Sequence, residues 1–541
     1  MNQPDSSAAS TRPPSQPAVP APPQAGTPVP AQVAVAAPAQ MASSPLSRSA
    51  AARSDRLPLG VWLVAAAFVA IELAVSGRYG FQQDELYFIV AGHHLAFGYV
   101  DQPPLAPLLT RITDILGTSP TAIRIAPTLA GGATILMAGK LAALFGGGRT
   151  SRVLAALAMG CAPVLLGSDH VANTTPLDLL AWTAVLLCVC LALLRNQPRW
   201  WLVAGAAAGL GLESDNQLIL LLAAVLAGIG FSAHRGVLRT ARPWLGSAIA
   251  AVIWAPNLIW QATNGWPQLA MAAALHHENT SPADYAGAVP AQLLYGGLFV
   301  TPLLVAGFVR LWRTQELRFL AIATALIVVY FVAWVPGKPY YTDGMLAPVL
   351  AAGAVAAEAW VRRGRRARLR HGLLVAAPLA GLVIALPLVL PLLPASAVHT
   401  LPSAAQQSNV GDSIGWPQFT ATVAAQDTAL VRAGERPTSI FTGYYPEAAA
   451  LQVFGGRDHL PPVLSGHNAY WMWGPGRASD HTVLVVDALS TLKPYFASCR
   501  LLTTYNAPYQ VRNDWTDIQI GACTGPVASW HTLWPHLKYY G

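Results

Sequence analysis

Eleven apolar runs, separated by short polar junctions, leave this chain few ways to fold. They cover residues 57–76, 121–145, 153–167, 177–194, 200–212, 217–231, 244–260, 292–311, 319–334, 345–361 and 373–393. A helix needs about 20 apolar residues to cross the hydrocarbon of a bilayer, and most of these runs approach that length. The expectation is a mainly α, polytopic membrane protein with about eleven transmembrane helices. Runs 200–212 and 217–231 are short and can form one bent hairpin, which shifts the count by one or two. Composition agrees: only 11% of the 541 residues are charged, against about 25% in soluble proteins.

The distribution of arginine sets an orientation. Cytoplasmic junctions carry an excess of Lys and Arg. With Arg53 and Arg56 on the cytoplasmic side, alternate junctions should be basic. They contain Arg149 and Arg152, Arg195 and Arg199, Arg235, Arg239 and Arg242, Arg310, Arg313 and Arg318, then the cluster from Arg362 to Arg370. The opposite loops carry chiefly Arg78, Arg111 and Lys338. The formal charge of +8 therefore reads as topology, and no nucleic-acid partner is expected.

Residues 1–55 form a Pro/Ala-rich segment that cannot bury enough apolar surface to offset its ordering, so a disordered cytoplasmic tail is expected. It lacks an uninterrupted apolar core of the signal-peptide kind. Residues 56–393 then make the transmembrane domain. An odd number of spans places residues 394–541 outside the cell membrane, as a small C-terminal α/β extracytoplasmic domain with a strand at 482–486. Cys499 and Cys523 lie in that domain, where an oxidising exterior permits a disulfide; two unrelated thiols are the alternative. Cys161, Cys188 and Cys190 lie in spans and read as small packing residues.

The first outer loop concentrates the acidic chemistry. Asp84 and Glu85 precede a helical stretch expected at 85–97, and Asp101 follows it. A carboxylate there can take a proton from an acceptor hydroxyl beside a lipid-borne donor. The simpler alternative is that Asp84 caps the helix and Glu85 favours its positive end. Among the cations, Lys338 is either a phosphate contact or an interfacial anchor, with Tyr340 and Tyr341 in an aromatic belt. A basic residue on the outer side runs against the topological bias, which favours the first reading. Arg78 is a weaker second candidate, and Arg124 reads as structural. His276 and His277 point in different directions on a helix and make a poor metal pair alone. One of them joining Asp101 or Glu85 is the functional alternative to a solvated loop.

The run Asp84-Glu-Leu-Tyr-Phe88 through Gly98-Tyr-Val-Asp-Gln-Pro-Pro-Leu105 resembles the family 39 glycosyltransferases, relatives of protein O-mannosyltransferases and lipid A aminoarabinose transferases. Three more stretches are similar to the bacterial branch: residues 256–267, Gly337-Lys-Pro-Tyr-Tyr341, and 465–475. The resemblance implies the C-type glycosyltransferase fold in the inner (plasma) membrane. It implies transfer of one sugar from a polyprenyl-phosphate donor to an extracytoplasmic acceptor, with inversion. Asp84 would be the general base and Glu85 would orient it or the acceptor. Asp101, with Gln102 and Tyr87 of the same motif, would form the acceptor-facing loop. Lys338, Arg78, Tyr340 and Tyr341 would meet the donor phosphate. No cofactor is required, although a divalent cation is possible in the acidic loop.

One departure concerns Asp215, where relatives often carry lysine; Glu213 and Asp215 in a membrane region call for a water-filled cavity. Asp169 and His170 are outlying candidates for acceptor contact, and His467 belongs to the core or rim of the outer domain. Two N-glycosylation sequons begin at Asn173 and Asn279. The Gly205-xxx-Gly209 spacing points to close helix packing. The competing class, a transporter or flippase, should show internal repeats and charges at mid-membrane; no clear repeat is evident, and the charges cluster at one face.

Overall fold

The computed structural model describes residues 56–475 and 481–541; the expected tail at 1–55 lies outside the described residues. Each of the eleven apolar runs is helical. Among the described residues, five helices are long and apolar enough to cross a membrane alone: Pro120–Leu144, Thr175–Leu194, Ala241–Thr263, Pro339–Arg362 and Ala367–Val389. Four shorter apolar helices are Leu59–Val75, Trp200–Leu212, Leu218–Gly230 and Arg318–Trp334. Two further units are bent pairs, which the sequence reading took as straight. Arg149–Gly160 meets Pro163–Asp169 at 56°, and Pro282–Gly296 meets Leu298–Arg313 at 83°. The causes are local. Pro163 cannot donate to the preceding turn, and Gly297 sits at φ 101°, a conformation open to glycine.

Small residues let the helices approach closely. Gly205 faces the backbone of Gly246, and Gly307 of the bent pair faces the backbone of the 346–362 helix at Val349 and Gly353. Without a hydrophobic drive between helices in lipid, such backbone contact supplies much of the packing energy.

Alternate junctions meet at opposite ends of the bundle. At one end the Arg310 guanidinium donates to the Phe145 carbonyl and the Gly148 amide donates to Glu358. These are the junctions that the sequence reads as basic. The other end carries the 76–120 loop, the 170–174 and 213–217 turns, and residues 394–541.

Residues 439–526 build a five-stranded sheet of order β2-β1-β3-β5-β4. Its strands are β1 (Ser439–Thr442), β2 (Val463–Ser465), β3 (Thr482–Val486), β4 (Phe496–Tyr505) and β5 (Ile518–Pro526). β1 runs parallel to β2 and β3, while β5 is antiparallel to β3 and β4. Cys499 and Cys523 are cross-strand partners and form a disulfide. The C-terminal segment packs directly on the first loop. A single apolar core joins Phe81, Leu86, Tyr87 and Phe88 of the first loop to Phe419, Leu451, Tyr470 and Ile520.

The packing generates a test. Gly205→Val should drive a side chain into the Gly246 carbonyl, lowering the melting temperature in detergent or preventing accumulation of folded protein. Gly236→Ala, where an added Cβ meets open space, should leave the melting temperature within about 1 °C.

Candidate active site

The helix that carries the acidic pair runs Gln83–His93, four residues shorter at its end than expected. Its N-cap is Gln82, not Asp84: Gln82 Oε1 accepts from the Asp84 amide at 2.6 Å, and Glu85 Oε2 accepts from the Gln82 amide at 2.9 Å. This is a capping box, so the capping role falls to Gln82 and Glu85 and leaves the Asp84 carboxylate available.

Neighbouring residues on a helix point about 100° apart, and the two carboxylates part accordingly. Glu85 faces the bundle and is fully buried. Arg124 Nε donates to its Oε1 at 2.8 Å and Arg124 Nη2 to its Oε2 at 2.6 Å. The Ala172 amide adds a bond at 2.9 Å. Arg124 in turn donates to the Ser76 and Gly80 carbonyls and contacts His170 Nε2 at 3.2 Å, while His170 Nδ1 meets Glu72 at 2.9 Å. Burial first, and then the Arg124 charge, keep the His170 imidazole well below its usual pKa. Arg124 is therefore structural, as expected. Glu85 is anchored rather than aimed at a substrate, and the proposed acceptor contacts Asp169 and His170 are buried in the bundle.

Asp84 turns the other way, toward the C-terminal segment, and stays partly accessible. Tyr445 donates its hydroxyl to Oδ1 at 2.7 Å, and the nearby Asn173 side chain acts on the same carboxylate. Burial raises the Asp84 pKa; the Tyr445 bond, the Asn173 side chain and the Lys338 charge pull it down, and Glu85 adds a small rise. Lys338, half-buried in the turn before Pro339–Met345, is thus a cation that acts on Asp84. Tyr340 and Tyr341 follow it in an edge-to-face pair at 4.7 Å.

Asp101 sits on the same wall. Its Oδ1 accepts from Tyr87 at 3.0 Å, and the Tyr87 ring lies 4.6 Å from that of Tyr445. Burial pushes Asp101 up to about 7, against the Tyr87 bond and with a contribution from Asp84. The 97–103 loop is clamped from behind: Asn257 donates to the Phe97 carbonyl at 2.9 Å and Gln268 to the Tyr99 carbonyl at 3.2 Å. A Cβ on Gly98 would strike Trp260 and Asn257.

Asp101 and Gln102 open onto a cavity of about 370 Å³ between the 213–217 turn, the 254–275 region and the end of the 318–334 helix. Its polar lining includes Ser214, Asp215, Asn216 and Gln217; its apolar lining includes Trp254, Leu258, Leu275, Phe331 and Trp334. The cavity expected around Asp215 is therefore present. Burial raises the Asp215 pKa. Among the described residues, none lining the cavity is Lys or Arg.

Other candidates lie elsewhere. The Arg78 guanidinium donates to the Leu392 and Leu393 carbonyls, tying the first loop to the end of the last long helix. His276 stacks on Trp334 at 4.0 Å and bonds its carbonyl through Nδ1, so it does not join Asp101 or Glu85. His277 is exposed beside it. Among the described residues, no group of three or more His, Cys, Asp or Glu is arranged to hold a metal ion. Asn173, read as the start of a sequon, has its side chain near Asp84 and on the Thr175 amide. Tyr445 was missed altogether, because it lies 361 positions away in the chain and no local pattern marks it.

Residues 101–260 match the family model for dolichyl-phosphate-mannose-protein mannosyltransferase. The resemblance to family 39 glycosyltransferases stands. The match begins at Asp101 and so leaves out Asp84. No curated protein matches the chain significantly. Two crystal structures of ArnT from Cupriavidus metallidurans, one bound to undecaprenyl phosphate and one apo, align with a TM-score of 0.53 and 15% identity. The first covers 86% of this chain and 98% of that one. The oligosaccharyltransferase AglB from Archaeoglobus fulgidus, in complex with an inhibitory peptide and a dolichol-phosphate, aligns at 0.50 and 13% identity. That alignment covers 81% of this chain and 70% of that one. At these identities the likeness establishes the fold, a mainly helical polytopic membrane architecture.

The two carboxylates should respond differently to mutation. Glu85→Gln leaves Arg124 buried without its counter-charge, and breaking such a pair costs about 3–5 kcal/mol. Its melting temperature in detergent should fall clearly, whereas Asp84→Asn should unfold close to the wild type.

Proposed function

We propose that this protein is a membrane glycosyltransferase that moves a sugar from a polyprenyl-phosphate donor to an acceptor hydroxyl on the extracytoplasmic side. The observation that carries the reading is Asp84, a partly accessible carboxylate that feels the Lys338 charge and is linked through Tyr445 and Tyr87 to Asp101 on the wall of an apolar cavity. The names of the similar proteins agree with it: a protein mannosyltransferase family, and ArnT bound to undecaprenyl phosphate.

The roles follow from the geometry. The apolar lining of Trp254, Leu258, Leu275, Phe331 and Trp334 suits a polyprenyl chain. Lys338 lies in the chain between Val335 and Tyr341, which both line the cavity, and its ammonium offsets the charge that grows on the leaving phosphate. Lys338 carries that duty without help from Asp215, which is acidic where a second cation would assist. Asp84 accepts the proton of the acceptor hydroxyl as its oxygen attacks the anomeric carbon. One displacement by an acceptor oxygen, with no enzyme-bound sugar, inverts that carbon. Asp101, with a pKa near neutrality, is suited to hold a sugar or acceptor hydroxyl, and Gln102 lines the cavity at its side. Glu85 and Arg124 fix the helix that presents Asp84.

Purified protein in lipid nanodiscs, incubated with a panel of undecaprenyl-phosphate sugars and a host envelope fraction as acceptor, should consume one donor class. Asp84→Asn should lower kcat at least about a hundred-fold with the melting temperature unchanged. Because a base must be ionised and burial raises the Asp84 pKa, the acidic limb of the wild-type kcat profile should lie above the ordinary carboxylate value of about 4. Full transfer by Asp84→Asn, or no consumption of any donor by folded wild-type protein, contradicts the reading.

A further inference from the structure

The structure assigns a working part to the C-terminal segment: we infer that Tyr445, braced by His467, is a positioning residue that holds Asp84 for proton transfer. The inference rests on the reading of Asp84 as the base and deepens it.

The observations form a chain of contacts. Tyr445 opens the 445–454 helix, directly after β1 and its Gly443 turn. Its hydroxyl donates to Asp84 Oδ1 at 2.7 Å. Such a bond to a carboxylate is charge-assisted and selects one orientation of it. The ring is fixed on two sides, by Tyr87 at 4.6 Å and by His467 at 5.0 Å. His467 is buried and accepts the Tyr445 backbone N–H on Nδ1 at 3.1 Å. Its ring packs on Tyr539 at 4.8 Å, and Tyr539 donates to Glu278 at 3.1 Å. Glu278 ends the Pro267–Glu278 helix, whose Leu269, Ala272 and Leu275 line the cavity. The same contacts therefore connect the Asp84 carboxylate to the cavity wall.

Tyr87 repeats the arrangement on Asp101. Two tyrosines in ring contact thus each orient one carboxylate, one from the first loop and one from the C-terminal segment. Supporting contacts of this kind hold a reactive group in its productive geometry. A merely structural tyrosine looks different: the Tyr505 hydroxyl donates to the Gly415 carbonyl inside the C-terminal core and touches no carboxylate of the site.

The charged and titratable groups that act on Asp84 or feel its charge are Lys338, Glu85, Asp101, Asp412, Tyr340 and Tyr445 itself. Tyr445→Phe removes one hydroxyl and alters none of the others. It keeps the ring against Tyr87 and His467. The lost bond favoured the ionised carboxylate, so its loss moves the acidic limb of the kcat profile to higher pH.

The test compares wild type, Tyr445→Phe, Tyr505→Phe and Asp84→Asn as full-length protein in nanodiscs, with the undecaprenyl-phosphate sugar that the wild type consumes. For Tyr445→Phe the expectation is a kcat lower by roughly 10- to 100-fold, with donor KM within about two-fold. Its acidic limb should move up by on the order of one pH unit, and its melting temperature should stay near the wild type. Tyr505→Phe should lose stability without any shift of the profile. Inactive Asp84→Asn combined with a wild-type rate and profile for Tyr445→Phe overturns this inference and leaves the base intact. A loss of rate in Tyr445→Phe with an unshifted profile overturns it too, because the tyrosine would then serve packing alone. Full transfer by Asp84→Asn removes the base itself and this inference with it.

Discussion

The buried pair of Glu85 and Arg124 organises the end of the bundle where the chemistry is proposed. A guanidinium taken out of water must find partners for its five donors. Here they reach Glu85, the Ser76 and Gly80 carbonyls and His170. Those partners belong to the end of the Leu59–Val75 helix, the first loop and the 170–174 turn. One side chain therefore fixes the 83–93 helix on the bundle, and the helix can then present Asp84 to the opposite side. Two adjacent acidic residues acquire separate duties because a helix turns about 100° between them.

The electrostatics of the site are asymmetric. Lys338 acts on Asp84, while the cavity beside it is lined by Asp101 and Asp215 with no Lys or Arg among its described lining residues. One cation acting on Asp84, with apolar cavity walls lined by Val335 and Tyr341 on either side of it in the chain, suits a ligand with a single anionic group and a long hydrocarbon chain. The carboxylates of the lining suit the neutral, hydroxyl-rich part of such a ligand. Asp215 thus bears on how the donor head is held, whereas the proposed base is provided elsewhere.

Much of this was legible in the sequence. Length and apolarity marked the apolar helices of the bundle, though not Pro267–Glu278 or Trp416–Arg432, and the basic junctions do gather at one end of the bundle. The four motif stretches also meet around the first loop: Asn257 and Gln261 donate to its Phe97 and Tyr99 carbonyls, Tyr470 and Trp473 pack on Tyr87, and the Lys338 charge acts on Asp84. Bends at Pro163 and Gly297 escaped, because apolarity alone does not say where a helix breaks. Glu85 was read as orienting Asp84 or the acceptor because nothing near it in sequence reveals Arg124, 39 positions on. Tyr445 and Asn173 were hidden for the same reason: hydroxyl and amide side chains are common, and only the fold brings them to a carboxylate. The continuity of the C-terminal segment with the first loop escaped because shared cores leave no local pattern.

The central claim is a single displacement at the sugar, promoted by one carboxylate base. Its most direct measurement is the anomeric configuration of the transferred sugar, read by proton NMR of the product and compared with that of the donor. The account predicts inversion in every turnover. Retention would require an enzyme-bound sugar and a second nucleophile, and would contradict the assignment of Asp84 as the base.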